Sequence, residues 1–405
     1  MNIIFLTLAR IEDVEHRGIY NDLMRKFRDE GHNVYIVCPV ERRLGVNSSL
    51  IESHGVQILN VRTLNIQKTN IVEKGIGTLL LESQYKAAIK KYLKGVKFDL
   101  ITYSTPPITF TNVVRYLKKQ NPQAVSYLQL KDIFPQNAVD IGMFSASSLF
   151  YKYFRKKEVE LYKASDYIGC MSPANVKFVL DHNDYIEAGR VEVAPNSVSL
   201  CAETEVADSL DNKAIKDKYS LPTDRPIFIY GGNLGKPQGI DYLIKCLDAC
   251  KNRQDCYFVV IGTGTEFPKL NHWYEESKPS AVKVMAGLPK NDYDKLVRAC
   301  NVGLIFLDYR FTIPNYPSRL LSYLENRMPV ICATDVNTDM GPIAEQNGYG
   351  YWCESVKTEN FTALVDKMLK SDIAGMGDKG YQFLCGNYLV EHTYNAIVKH
   401  FKNNN

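Results

Sequence analysis

The sequence predicts an α/β protein made of two doubly wound, Rossmann-like domains facing each other across a cleft. Three observations carry this expectation. The chain has 405 residues, enough for two cores at roughly 100–200 residues per domain. Short β-branched runs alternate with longer stretches of helical period, and several runs are apolar throughout, as strands of a parallel sheet covered on both faces must be. The alternation pauses at Val191-Glu-Val-Ala-Pro-Asn-Ser197, where a strand ends in Pro-Asn and the polar stretch 201–210 follows. Apolar residues at 45% and charged residues at 23% exclude a disordered, collagen-like or membrane-spanning chain.

In the first half, strands are expected at 2–8, 33–38, 57–61, 100–103, 124–128, 167–171 and 191–194. The helices between them include Ile19–Asp29, followed by Gly31 as its C-cap, and 79–93. The second half repeats the logic. Strands fall at 227–230, 257–261, Val282–Met285, Val302–Phe306 and 329–332, with helices at 239–250, 293–299 and 318–325. The segment 385–405 reads as a helix with a frayed Lys-Asn-Asn-Asn tail. The domains are therefore placed at 1–197 and 198–384, with 385–405 as a final helical segment.

The opening Met1-Asn-Ile-Ile-Phe-Leu-Thr-Leu-Ala-Arg10 has too short an apolar run for a signal peptide, so a cytoplasmic chain is expected. Ten cysteines, none in a C-x-x-C pair, read as reduced thiols. Cys246 and Cys250 lack a histidine at ligand spacing, so no metal site is expected. The net charge of +4 is uneven: residues 1–195 carry +6, and residues 51–150 hold 12 basic against 6 acidic side chains. A basic first half implies an anionic partner for that half.

Five stretches carry chemistry. Tyr230-Gly-Gly-Asn-Leu-Gly-Lys-Pro-Gln-Gly-Ile240 runs from a strand through a glycine-rich loop into a helix, an anion-binding arrangement to which Lys236 adds charge. It lacks the Gly-Lys-Ser/Thr of a P-loop. In Arg310–Val330, Arg319 falls in the first turn of a helix opened by Pro317 or Ser318. A cation is unfavourable there unless an anion accompanies it, and a diphosphate would resolve the conflict. Val260-Ile-Gly-Thr-Gly264 looks like part of a dinucleotide fingerprint, but its third glycine is missing, which favours a structural turn. Lys131 and Asp132 follow a buried strand, and Asp132 suits orienting or deprotonating an acceptor hydroxyl, or capping the turn before Pro135. The charged loop 8–19 brings Gly18 to the start of the first helix, where a phosphate or sugar can approach closely.

Two helical stretches supply the basic bias. Residues 85–97 carry Lys86, Lys90 and Lys94 at i,i+4 steps, and 149–163 mix Phe150, Tyr153 and Phe154 with Lys152, Arg155, Lys156 and Lys157. Both patterns suit an anionic membrane surface, or an apolar face on the sheet with a solvated basic face. No nucleic-acid-binding module appears.

Taken together, the Gly-Asn-Leu-Gly-Lys-Pro-Gln-Gly loop, the Ala-Pro-Asn-Ser-Val linker and the Tyr-Pro-Ser-Arg-Leu-Leu-Ser-Tyr-Leu-Glu-Asn-Arg-Met-Pro-Val block resemble family 4 glycosyltransferases of the GT-B fold. The likeness is to bacterial capsule and O-antigen transferases, including the N-acetylfucosamine-transferase-like branch. It implies retention at the anomeric carbon, no metal and no cofactor. It also implies a nucleotide-sugar donor, most simply a UDP-sugar, on the second domain. A saccharide acceptor, here expected to be lipid-linked, would sit on the first, with the last helix crossing back. By position, Gly232, Asn233 and Lys236 would meet the donor phosphates, Leu288 and Pro289 the base, Asn315 and Tyr316 the sugar, and Ser318 and Arg319 the diphosphate. Gly18 would close over the diphosphate; Lys131 and Asp132 would face the acceptor. Where many members carry a Glu-x7-Glu pair this chain has Pro314 and Ser322, and Glu325, one turn on, is expected to reach the ribose instead. Lys236, Arg319 and Asp132 are the catalytic candidates. A sugar-nucleotide epimerase or phosphorylase on the same scaffold, or a non-catalytic scaffold of a polysaccharide assembly complex, are the rival readings.

Overall fold

The computed structural model describes residues 1–66, 71–200 and 209–402. The connector expected at 201–210 and the expected frayed tail therefore lie largely outside the described residues. The chain divides into two compact units, Met1–Val198 with Val390–Asn405, and Ser199–Leu389.

The first unit holds strands β1 (Asn2–Leu6), β2 (Asn33–Glu41), β3 (Ser49–Ser53), β4 (Val56–Thr63), β5 (Leu100–Ser104), β6 (Val125–Leu130), β7 (Tyr167–Cys170) and β8 (Val191–Val193). They form one sheet in the order β3-β4-β2-β1-β5-β6-β7-β8. Every pairing is parallel except β3 with β4. The central strands are buried along their whole length, as covering by helices on both faces requires: Ile3, Ile4, Phe5 and Leu6 are all at 0% exposure.

The second unit holds β9 (Ile227–Asn233), β10 (Tyr257–Thr263), β11 (Val282–Met285), β12 (Val302–Phe306), β13 (Val330–Thr334) and β14 (Gly350–Glu354). All are parallel, in the order β11-β10-β9-β12-β13-β14. This is the strand order of a doubly wound mononucleotide-binding sheet. Its core joins Phe228, Phe258, Phe306, Leu243 and Phe361.

Each strand expected from the sequence forms. Two more appear that the sequence reading lacked. β3 is a largely exposed edge strand paired antiparallel through a tight turn at His54-Gly55; β14 opens on a glycine and has little β-branched character. The helix expected at 79–93 starts earlier, as Ile71–Tyr92. The segment expected as one helix from Cys385 is two: Cys385 belongs to Ile373–Asn387, and a new helix runs over Val390–Lys402.

That last helix lies on the first unit. Val390, Ile397 and Val398 join the cluster of Phe5, Phe27 and Ile36. Tyr394 meets the Phe27 ring at 5.0 Å, and the Thr393 hydroxyl donates to the Pro195 carbonyl at 3.0 Å. The nine cysteines among the described residues are free thiols, eight of them buried. Among the described residues no helix is long and apolar enough to cross a membrane.

Ile397 is fully buried in that cluster. Ile397→Ala should lower unfolding free energy by about 2–4 kcal/mol through the cavity it leaves. A shift of the urea midpoint measures this.

Candidate functional site

In an open α/β sheet, ligands bind outside the carboxyl ends of the strands where the strand order reverses. In the second unit that point lies between β9 and β12. Pairing there covers only Phe228 with Val302 and Ile229 with Gly303, so Tyr230 to Asn233 run on past their neighbour. The Tyr323 hydroxyl fills the opening. It lies 3.1 Å from the Ile229 carbonyl and 3.3 Å from that of Leu304, and accepts the Gly231 N–H at 3.2 Å. Its ring lies flat on β12 because residue 303 is glycine: a Cβ there would stand 2.3 Å from the ring.

Beyond Tyr230 the chain enters the glycine-rich loop. Gly232 has φ +126°, a conformation side chains rarely adopt. The loop is bound to the end of β10, with the Leu234 N–H donating to the Thr263 carbonyl at 2.9 Å. A Cβ on Gly262 would come within 1.9 Å of the Gly232 oxygen. The Gly-Thr-Gly stretch at 262–264 therefore serves close packing against this loop, as the turn reading expected. Asn233 and Gln238 close on each other: Gln238 Oε1 accepts from Asn233 Nδ2 at 3.0 Å and from the Gly235 N–H at 3.1 Å. Lys236 is exposed at the loop's tip and has no partner among the described residues.

Arg319 comes to the same place from another direction. It is the first residue of the short helix Arg319–Glu325, whose N-cap Ser318 is exposed and makes no side-chain cap. The guanidinium lies over the Tyr230 ring, 4.2 Å from its centroid, an attractive arrangement for a desolvated cation. A Cβ on Gly232 would be 3.5 Å from Arg319 Nη2, so the guanidinium borders the loop directly. Its Nη1 is buried, without a hydrogen-bond partner among the described residues, and so is Asn315 Nδ2. A buried donor left unmatched costs free energy that an acceptor atom would recover.

The other expected donor residues divide. Leu288 is half-buried and Pro289 exposed, on the turn from β11 into the helix Lys290–Arg298. Two expectations need correction. Tyr316 is 8% exposed and its hydroxyl meets that of Tyr388, so it faces the unit's interior. Glu325 is 5% exposed and already engaged within the protein, because its position on the helix turns it inward rather than toward a ribose. Ser322 is half-buried and its carbonyl accepts from Asn326 Nδ2 at 2.7 Å. Sequence reasoning missed the aromatic scaffold of Tyr230, Tyr293 and Tyr323. An aromatic residue just before the glycine pair was the available signal. Tyr293 packs against Gly231, and burial pushes its phenol up to about 12.

In the first unit, the Lys131 and Asp132 N–H groups both donate to Thr105 Oγ1, at 2.9 and 3.1 Å. Thr105 thus ties the end of β5 to the chain leaving β6. Their side chains have different neighbours. Lys131 interacts with Cys170 at the end of β7, and Asp132 with Tyr20 on the helix Ile19–Asp29. Burial without a paired opposite charge lowers Lys131 to about 7 and raises Asp132 to about 6. Gly18 has an extended backbone, and a Cβ there would meet nothing closer than 3.6 Å. The fold itself does not require glycine at that position. The Gly18 N–H donates to the Asp22 carboxylate at 3.2 Å.

Residues 211–379 match the family described as glycosyl transferases group 1. The chain is 21% identical over 273 residues to the probable glycosyltransferase WbjE of Pseudomonas aeruginosa, covering 64% of each protein. It is 23% identical over 163 residues to the putative colanic acid biosynthesis glycosyl transferase WcaI of Escherichia coli strain K12, covering 40% of this chain and 39% of that one. The chain thus spans 64% and 39% of the length of these curated relatives. Among solved structures, sucrose-phosphate synthase from Thermosynechococcus elongatus superposes with TM-score 0.73 at 14% identity, covering 99% of this chain and 98% of that one. Anabaena HepE in complex with UDP superposes with TM-score 0.71 at 13% identity, over 100% of both chains. These likenesses show the fold, which is GT-B.

The contact of Gly262 with the loop carries a stability test. Gly262→Ala should destabilise the second unit by about 1–3 kcal/mol, since the Gly232 carbonyl must move. Urea denaturation followed by Trp273 and Trp352 fluorescence reads this.

Proposed function

We propose that this chain, whose residues 211–379 match the group 1 glycosyl transferases, moves a sugar from a nucleoside diphosphate to a saccharide acceptor with retention at the anomeric carbon. The observation that carries the reading is the guanidinium of Arg319, buried over Tyr230 beside the glycine-rich loop with Nη1 unpartnered. A diphosphate supplies the acceptors that this nitrogen lacks. Lys236 adds a second cation at the loop's tip. Uridine is the proposed base, held by Leu288 and Pro289, in keeping with the UDP in the HepE structure.

As the bond from the anomeric carbon to the diphosphate oxygen breaks, the acceptor hydroxyl oxygen bonds to that carbon from the same face, which keeps its configuration. Negative charge collects on the leaving group, where Arg319 and Lys236 stabilise it. Asp132, raised to about 6 by burial, takes the hydroxyl proton, and Lys131 orients the acceptor. No metal or other cofactor takes part in this reading. The acceptor is a lipid-linked saccharide of a surface polysaccharide such as a capsule or O-antigen, at the inner face of the plasma membrane. The description of WcaI as a putative colanic acid biosynthesis glycosyl transferase and the basic first unit support this. The N-acetylfucosamine-transferase-like branch rests on the Pro-Ser-Arg motif at Pro317, Ser318 and Arg319.

Two measurements test the reading. Arg319→Ala should lower kcat by about 100-fold or more, as loss of one charge-stabilising donor does. It should also weaken UDP binding in calorimetry, while the circular dichroism spectrum is kept. Transfer at wild-type rate by that variant would refute the assignment.

The second concerns pH. Asp132 accepts a proton only when ionised, so kcat/KM for the acceptor should fall as pH drops through about 6. Asp132→Asn should flatten that limb and lower the plateau; an unchanged acid limb would remove Asp132 from the role.

A further inference from the structure

We propose that two copies of this chain associate edge to edge through β3, the outermost strand of the first unit's sheet, so that two sheets become one. Such a pairing needs only the ladder geometry of the first unit and does not depend on what the second unit binds.

β3 and β4 are joined by the two-residue turn His54-Gly55, with φ +48° and +80°, the left-handed pair of a tight hairpin. The residues flanking such a turn, Ser53 and Val56, exchange both backbone hydrogen bonds, and bonded pairs then alternate along the ladder. Ser53, Ile51 and Ser49 therefore direct their backbone groups to Val56, Ile58 and Asn60. Leu50 and Glu52 turn their N–H and C=O groups outward, and no described strand lies beyond them. These groups form a row of donors and acceptors open to another strand.

Edge strands are ordinarily defended by brevity, a lysine, a proline or a bulge. The opposite edge of the same sheet is: β8 is three residues long, and Pro195 follows it. β3 carries no lysine or proline and pairs residue for residue with β4. Its one charge, Glu52, is held by the neighbouring strand, where its carboxylate accepts from Gln57 Nε2 at 3.3 Å. Leu50 and Ile51, on opposite faces of the sheet, are 37% and 39% exposed, and Leu44 and Val46, on the approach to the strand, are 42% and 45% exposed. Aliphatic side chains gathered in the open around an unpaired edge mark an association surface.

The edge fits a second copy of itself. Two identical strands meet antiparallel across a two-fold axis, and hydrogen-bonded pairs form only between outward-facing residues. An axis through Leu50 would set Glu52 against Ser48, whose carbonyl already accepts the Tyr92 hydroxyl at 2.7 Å. An axis through Glu52 would set two carboxylates directly opposite, which is destabilising. An axis through Ile51 joins Leu50 of each copy to Glu52 of the other, uses every outward group of the strand and separates the charges. Ser49 of each copy then lies opposite Ser53 of the other, because the strand reads Ser-Leu-Ile-Glu-Ser. Ile51 faces its own twin in a non-hydrogen-bonded pair, with Cα atoms about 4.5 Å apart and side chains in contact. Both the backbone pattern and the charge pattern thus select one register of self-pairing.

Sedimentation equilibrium of the full chain tests the pairing. The weight-average mass should rise from the 46.0 kDa of one chain toward that of two between about 1 and 100 µM, since an interface of one strand and its flanks lies at the small, weak end of the specific range. Ile51→Lys and Ile51→Glu each set like charges across the axis, and either alone should weaken dimerisation by ~10-fold or more. Mixed in equal amounts they should form a heterodimer, because each lysine then meets a glutamate. Ile51→Cys should give a disulfide-linked dimer under mild oxidation, since about 4.5 Å between Cα atoms suits that bond. Ser49→Cys, opposite Ser53, should not, and the unsubstituted chain, with Cys385 half-buried, is the blank. The melting profile and UDP binding should match wild type in all four variants. A constant single-chain mass across the range overturns the proposal. So do wild-type association by Ile51→Lys and Ile51→Glu, no recovery on mixing them, or equal crosslinking by the two cysteine variants.

Discussion

The second unit is organised around a cation that the protein does not neutralise. Arg319 is carried on a short helix into the space where β9 and β12 separate, and the face of Tyr230 receives it. Withdrawing a guanidinium from water is costly, and a ring face returns only part of the loss. The surrounding architecture makes the position obligatory. Gly232 leaves room beside Nη2, and Tyr323, lying flat on Gly303, ties the separated strands through three backbone groups. The unmatched Nη1 is thus a property of the strand order itself, since a crevice can form only where the chain changes direction in the sheet.

The first unit shows the complementary case. Lys131 and Asp132 are neighbours in sequence and share Thr105 through their backbones, yet burial moves their protonation in opposite senses toward neutrality. Opposite charges that face different neighbours cannot compensate one another, so each side chain meets the cost of burial alone. A pair of groups set up this way can hold or release a proton near neutral pH.

Much of the fold was legible because a buried parallel strand is written as an uninterrupted apolar run, as in Asn2–Leu6 or Val302–Phe306. β3 was not, because its exposed edge position tolerates polar residues and leaves no run to read. The glycine-rich loop and Arg319 were legible from strand ends and helix starts, which depend on local chain chemistry. Tyr316 and Glu325 were misjudged because the side a residue faces on a short helix or loop depends on what packs behind it. That information is tertiary: Tyr388 lies 72 residues from Tyr316 in sequence. The outward Leu149 and Phe150 belong to the same class, since the sequence offers two apolar stripes and only packing shows which one Phe134 covers.

The first unit is built from two stretches of chain separated by the whole of the second. A ribosome delivers residues in order, at about 5–20 per second. Strands β1 to β8 therefore emerge first and wait roughly ten seconds or more while the intervening unit is synthesised. Throughout that interval Phe27 and Ile36 lack the cover that Val390, Ile397 and Val398 later provide. The unit made second can close its core before the unit made first, so the nascent chain carries an open apolar seam that invites a chaperone until the helix Val390–Lys402 has emerged.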